Sequence, residues 1–267
     1  MRPMRTLLRT LALSLLPALP VFAQDEVPFI VTPDNVTLAM LQVAGVGPND
    51  HVIDLGSGDG RIVITAAKRF GATGLGVEIV PDLVKQSQAH ARKAGVAAKV
   101  EFRTQDLFET DLARASVVTM YLLPDVNLQL RDRLLALPPG TRVVSHDWDM
   151  GDWAPDRTLT LDVPDKAIGR EKRSNVHLWV VPARVHGRWC TAGGSIQIVQ
   201  RFQTFSATVM LAGSTVPAMV FDGRIAGSAL AAGGRHFAKL AAEGDGLTLR
   251  EIAVPAGALQ GRRFSRC

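Results

Sequence analysis

An apolar run, Val52-Ile53-Asp54-Leu55, opens directly into Gly56-Ser57-Gly58-Asp59-Gly60, and apolar residues then return at helical spacing from Arg61 to Phe70. A strand, a glycine turn and a helix in immediate succession start a Rossmann-like unit, in which the backbone comes close to a bound nucleoside. A dinucleotide fingerprint carries a third glycine three places after Gly58; Arg61 stands there instead, and carboxylates flank the turn at Asp54 and Asp59. Two negative charges repel a pyrophosphate and attract an ammonium or sulfonium centre. S-adenosylmethionine fits that description.

Acidic residues recur downstream at the spacing such a unit needs. The second apolar run, Leu75-Gly76-Val77, ends in Glu78, where a Rossmann-like unit places the carboxylate that accepts from both ribose hydroxyls. A third, Val100-Glu101-Phe102-Arg103, precedes Asp106-Leu107-Phe108. With its acidic landmarks in this order, the chain resembles the class I S-adenosylmethionine methyltransferases. The resemblance implies that Asp106, with Leu107 beside it, receives the adenine amino group, and that Asp54, Gly56, Ser57, Gly58, Asp59, Gly60 and Glu78 hold the rest of the cofactor. A Rossmann-like domain for another nucleoside is the alternative the residues leave open.

Pro28-Phe29-Ile30-Val31-Thr32-Pro33, the run from Asp54 to Val63 and Tyr121-Leu122-Leu123-Pro124 occur together in that order. Together they resemble bacterial relatives of the mitochondrial ATP-synthase c-subunit and adenine-nucleotide-translocase lysine N-methyltransferases, over roughly residues 27 to 155. The resemblance implies a protein lysine as methyl acceptor. A small-molecule acceptor is one alternative; an exported binding protein that keeps the pocket without turnover is another.

Met1 to Thr10 carries Arg2, Arg5 and Arg9 and no acid, Leu11 to Phe22 is apolar, and Val21-Phe22-Ala23 ends in a small residue. These are the three parts of a secretory signal, with cleavage expected after Ala23 and export to the periplasm or the medium. The apolar run contains Pro17 and Pro20 and is shorter than the roughly twenty residues that span a bilayer. An uncleaved inner-membrane anchor through residues 11–22 is the alternative. Loss of three arginines takes the formal charge from +5 to +2, so the charge carries no signal for a nucleic-acid partner.

From His51 onward apolar runs alternate with helical stretches: strands near 51–55, 73–78, 99–103, 115–121 and 141–146, helices near 61–70, 82–94 and 125–136. Thr32 reads as the N-cap of an earlier helix with Pro33 at its first position, and in the resembling family that segment covers the pocket, which makes Phe29 and Thr32 further candidates. Strands alternating with helices imply a parallel sheet with right-handed crossovers. Lys99 to Arg103 suits an edge; Val117 to Met120 and Arg142 to Ser145 suit the centre. Thr158 to Val163 and Asn175 to Val181 have only a charged connector between them and are expected to pair as an antiparallel hairpin. The expected fold is α/β, a Rossmann-like seven-strand, mostly parallel sheet with helices on both faces, spanning residues 24–182.

Ligands of such sheets bind at the carboxyl ends of the strands. Tyr121, the only tyrosine, follows the fourth strand and is the candidate for orienting an incoming amine; a half-buried tyrosine packing beside the cofactor is the alternative. After the fifth strand, Ser145-His146-Asp147-Trp148-Asp149-Met150-Gly151-Asp152-Trp153 offers an acceptor lip, with Trp148 or Trp153 flanking a lysine stem, or else tryptophans packed on the sheet with the acids in solvent. Asp147 and Asp149 stand two apart on an irregular segment without a second ligand cluster, so no metal is expected. Lys166, Arg170, Lys172 and Arg173 read as a solvated basic connector.

Residues 183–267 contain no useful helical period. Short apolar runs separated by Gly193-Gly194, Asp222-Gly223, Gly233-Gly234 and Gly244-Asp245-Gly246 imply a small antiparallel barrel or sandwich. If that meander closes, its first and last strands are neighbours, and Cys190 and Cys267 come within disulfide distance in the oxidising compartment that export supplies.

Overall fold

The computed structural model describes residues 30–167 and 171–267; the expected signal segment and Phe29 lie outside them. Five strands pair in parallel: β1 (His51–Leu55), β2 (Thr73–Glu78), β3 (Val100–Thr104), β4 (Val117–Met120) and β5 (Arg142–His146). Then β6 (Arg157–Asp162) and β7 (Arg173–Val180) form the antiparallel hairpin, with β7 inserted between β5 and β6. The resulting order, β3-β2-β1-β4-β5-β7-β6, places the short charged strand at the edge and β4 and β5 inside. Because the chain winds outward from β1 in one direction and restarts at β4 in the other, a crevice opens at the carboxyl ends of β1 and β4.

Among the described residues four α-helices cover the sheet: α1 (Asp34–Val43), α2 (Arg61–Phe70), α3 (Pro81–Lys93) and α4 (Pro124–Leu135). Alternation along β1 sends Val52 into one apolar cluster with Met40, Leu41, Ile62 and Ala66, and Ile53 into another with Leu130, Leu134 and Trp179. One face therefore carries α1 and α2, the other α4. Proline opens α3 and α4, where its missing N–H costs no helical bond. In α1 the expectation shifts by one residue. Pro33 itself occupies the N-cap position with φ −58°, and Thr32 is buried one place earlier.

The last part of the chain is a closed barrel of eight strands: β8 (Gly187–Thr191), β9 (Gly194–Arg201), β10 (Thr204–Leu211), β11 (Met219–Ala226), β12 (Ala229–Ala232), β13 (Ala238–Glu243), β14 (Gly246–Ile252) and β15 (Arg263–Arg266). Each strand pairs antiparallel with the next, and β15 closes onto β8 through Ser265 opposite Cys190, so no edge is left to recruit another chain. Trp189, Ile196, Phe205, Val209, Leu230, Leu249 and Phe264 fill its interior. Cys190 and Cys267 are joined across the closing seam, with 5.3 Å between their Cα atoms.

The β9–β10 turn docks the barrel on the sheet. Phe202 lies against Trp153, with ring centroids 6.3 Å apart, and Gln203 Nε2 donates to the Ala154 carbonyl at 2.5 Å. Arg201 and Arg224 reach across to Asp152 (3.2 Å) and Asp156 (2.9 Å). Trp153 is therefore fully buried and is no acceptor lip, because the barrel covers it; Trp148 remains 44% exposed.

Candidate active site

The glycine turn leaves β1 with Gly56 at φ 73°, Gly58 at 52° and Gly60 at 81°, left-handed conformations that cost a residue with a Cβ. Space demands glycine too. A Cβ on Gly56 would stand 2.9 Å from Leu122 Cδ2, and one on Gly60 2.7 Å from the Phe102 ring. The turn hangs from β2, since Gly56 and Ser57 both donate to the Val77 carbonyl, at 3.0 and 2.9 Å. From α3, Ser87 Oγ donates to the Gly58 carbonyl at 2.8 Å.

Glu78 spans the crevice floor. Its Oε2 accepts from Gly58 N at 3.0 Å and its Oε1 from Val80 N at 3.1 Å, which fixes the carboxylate at the end of β2. Asp54 is buried in β1 and accepts from Thr119 Oγ1 of β4 at 2.7 Å. Burial pushes the Asp54 carboxyl up to about 7, against the Thr119 hydrogen bond, and the neighbouring Asp59 and Glu78 charges push the same way. Such a carboxylate gains by meeting a cation.

Asp59 is already paired within the protein. Its carboxylate is engaged by Arg61 at 2.6 Å, and although burial alone would raise it, that guanidinium holds it below the usual carboxylate range. Arg61 also donates to the Thr32 carbonyl at 3.0 Å and pairs with Asp34 at 3.3 Å, which straps the segment before α1 to the turn. Asp106 is exposed after β3, where its side chain accepts from Phe108 N at 2.8 Å, and Leu107 is half-buried beside it. Ile79, Val80 and Phe108 expose apolar side chains at the same end of the sheet.

Tyr121 follows β4, half-buried, its ring centroid 3.9 Å from that of His146. Desolvation, with the Asp147 charge adding to it, raises the Tyr121 hydroxyl, which therefore stays protonated. His146 is buried; desolvation lowers it to about 4, so its ring is neutral at pH 7. The carboxyl end of β5 thus carries a polar cluster that the sequence showed only as a dense segment. Lys166, expected in solvent, instead pairs with Asp147 at 2.7 Å. Thr119 and Ser87 belong to no motif in the sequence; a hydroxyl in the otherwise apolar Val117–Met120, in register with Asp54, was the available signal for the first.

A cleft of about 580 Å³ lined by Leu137, Pro182, Val185 and Trp189 lies at the opposite end of the sheet, away from the turn. The turn itself fits the sulfonium cofactor. It offers close backbone approach, an acidic floor, and a buried Ser57 hydroxyl with no partner among the described residues.

Comparison with known proteins agrees. Residues 54–157 match the ANTKMT methyltransferase domain. A protein-lysine N-methyltransferase from Saccharolobus islandicus is 42% identical over 139 residues, which cover 51% of this chain and 86% of that protein. The mouse adenine nucleotide translocase lysine N-methyltransferase is 40% identical over 44% of this chain, which spans only 55% of the mouse protein's length. A crystal structure described as an RNA methyltransferase from Salinibacter ruber, in complex with S-adenosyl-L-homocysteine, is 52% identical with a TM-score of 0.53, covering 58% of this chain and 96% of that one. With turn, acidic landmarks, sheet order and relatives in agreement, the chain belongs to the ANTKMT family of S-adenosylmethionine-dependent methyltransferases.

Proposed function

We propose that this protein methylates lysine side chains of a protein substrate. The observation that carries the reading is the 42% identity to a protein-lysine N-methyltransferase across 86% of that relative. Bound S-adenosylmethionine supplies an activated methyl group on a sulfonium. Asp54 and the glycine turn would hold that cation, Glu78 would accept from the ribose hydroxyls, and the protonated Tyr121 hydroxyl would orient the incoming amine. The lysine amine sheds its proton to water before attack, and burial beside a positive centre favours that free base. No dedicated base is then required, and catalysis is mostly proximity and alignment.

Incubation with methyl-labelled S-adenosylmethionine and envelope protein fractions, followed by total hydrolysis, tests this. Label recovered as methyl-lysine supports it. Label in RNA would move the chain to the activity named for the Salinibacter relative, label in small molecules to a metabolite acceptor, and cofactor binding without any incorporation to a binding protein.

Export is part of the proposal. The arginine-led apolar segment motivates it, and the Cys190–Cys267 bridge, which persists in an oxidising compartment, supports it. Among the described residues no helix is long and apolar enough to cross a membrane. Mass spectrometry of protein from a periplasmic extract should find Gln24 at the N-terminus; an intact Met1 in the cytoplasm would refute export.

A further inference from the structure

The geometry points to an ammonium-binding site at the carboxyl end of β5, with Asp147 as its receptor carboxylate and the protein's own Lys166 as a tethered, displaceable occupant. Lys166 Nζ donates to Asp147 Oδ2 at 2.7 Å and to the Arg173 carbonyl at 2.6 Å, with both charged side chains only 15% exposed. An ordinary surface ion pair needs no special backbone. Asp147, in contrast, sits at φ 62°, one of two non-glycine residues with positive φ among those described, and strain of this kind collects at ligand clamps.

The strain aims the carboxylate. Asp147 N donates to the Asn175 carbonyl at 2.7 Å, and Asn175 N donates back to Asp147 Oδ1 at 2.9 Å. One oxygen is thus locked to β7 and the other is turned to the cation. Behind it stands His146, buried and neutral, which shares a hydrogen bond with Ser174 Oγ through Nε2 (2.9 Å) and whose Nδ1 has no partner among the described residues. Buried polar atoms in native proteins rarely lack one.

The cluster adjoins the cofactor turn. Tyr121 packs against His146 with its ring tilted by 34°, and the next residue, Leu122, fills the space where Gly56 has no Cβ. A carboxylate and a carbonyl placed for one ammonium, at the end of a long alkyl stem, form a receptor for any lysine, whether it comes from the β6–β7 connector or from outside. The proposal deepens the lysine reading and rests on it for the cation's biological identity. An incoming lysine must first displace Lys166, which lowers its apparent affinity by the fraction of molecules in which the receptor is free.

The test needs neither cofactor nor turnover. Ligand-observed NMR titration with N-α-acetyl-lysine methylamide is run on the wild type, on Lys166→Met and on Lys166→Met with Asp147→Asn. Removing the internal competitor should tighten binding about tenfold, and adding Asp147→Asn should abolish it. Equal affinities for the first two, no binding to Lys166→Met, or binding that survives Asp147→Asn would each overturn the site. Lys166→Gln, which keeps a donor for the Arg173 carbonyl, serves if the methionine variant does not fold. In addition, Asp147→Asn should accelerate acetylation of Lys166 by trace acetic anhydride, read by peptide mass spectrometry, and an unchanged rate counts against the pair. Absence of methyl-lysine production with this titration intact would remove the lysine reading and leave the ammonium site standing.

Discussion

Thr119 Oγ1 donates to Asp54 Oδ1 at 2.7 Å across the β1–β4 pair, the only side-chain hydrogen bond among those described that the buried Asp54 carboxylate receives. Thr119→Val keeps the shape and removes the donor, so the Asp54 carboxyl rises further and less of it is ionised at pH 7. Cofactor affinity should fall by roughly 1–3 kcal/mol, the scale for a hydrogen bond to a charged group. Calorimetry on wild type and variant measures it; equal affinities would show that the ionised Asp54 plays no part.

Asp54 also sets a pH dependence. Its carboxyl is raised from 3.8 to about 7, so between those values the folded protein without ligand holds a proton that the unfolded chain has released. Stability contributed by this group is therefore full below about pH 4 and is lost as pH rises toward 7. In ligand-free protein the advantage of Asp54→Asn over wild type should grow across that window in denaturant titrations. A constant difference would mean that Asp54 is not the titrating group. Cofactor binding ionises Asp54, so titrations near pH 7 in buffers of different ionisation enthalpy should reveal proton release.

Glu78→Gln presents an amide N–H₂ to one of two backbone donors, Gly58 N or Val80 N, and removes a charge from the crevice floor. A loss of roughly 1–3 kcal/mol in cofactor affinity is expected. Cofactor affinity equal to the parent's would place the pocket elsewhere.

Phe202→Ala removes the ring that covers Trp153 and lies 5.9 Å from the Arg131 guanidinium. The half-buried site should lose about 2 kcal/mol, at or below the low end for large-to-small core changes. Limited proteolysis should then cut sooner between residues 147 and 156, and an unchanged pattern would mean that the barrel does not hold that segment.

The Cys190–Cys267 bridge closes a span of 77 residues. Its loss should destabilise by about 4.5 kcal/mol in the chain-entropy model. Thiol counting in unfolded, unreduced protein should find none free; two reactive thiols would exclude the bridge.

How far the sequence could be read depended on how local each signal was. The succession of β1 to β5 followed from apolar runs alternating with helical stretches, and β6 and β7 followed from two runs joined by a charged connector. The barrel shows the limit. Ala229–Ala232 has too little apolar contrast to announce β12, which exists because β11 and β13 pair on either side of it. Spacing placed the glycine turn after β1 and Glu78 at the end of β2, while Asp106 was named from the resemblance. The partners of Asp59, Asp147 and Trp153 were not, because Arg61 turns back on the loop, Lys166 returns from a distant connector and Phe202 arrives from the barrel. Composition cannot show which side chain a fold will bring to a charge.

The central claim is that the turn from Asp54 to Gly60, with Glu78, binds S-adenosylmethionine. Calorimetric titration of the purified protein with S-adenosylmethionine and with S-adenosylhomocysteine tests it most directly. Saturable binding of both at one site per chain, weakened in Asp54→Ala and Glu78→Ala alike, is the predicted result; absence of binding by either ligand, or two variants that bind like the parent, would contradict it.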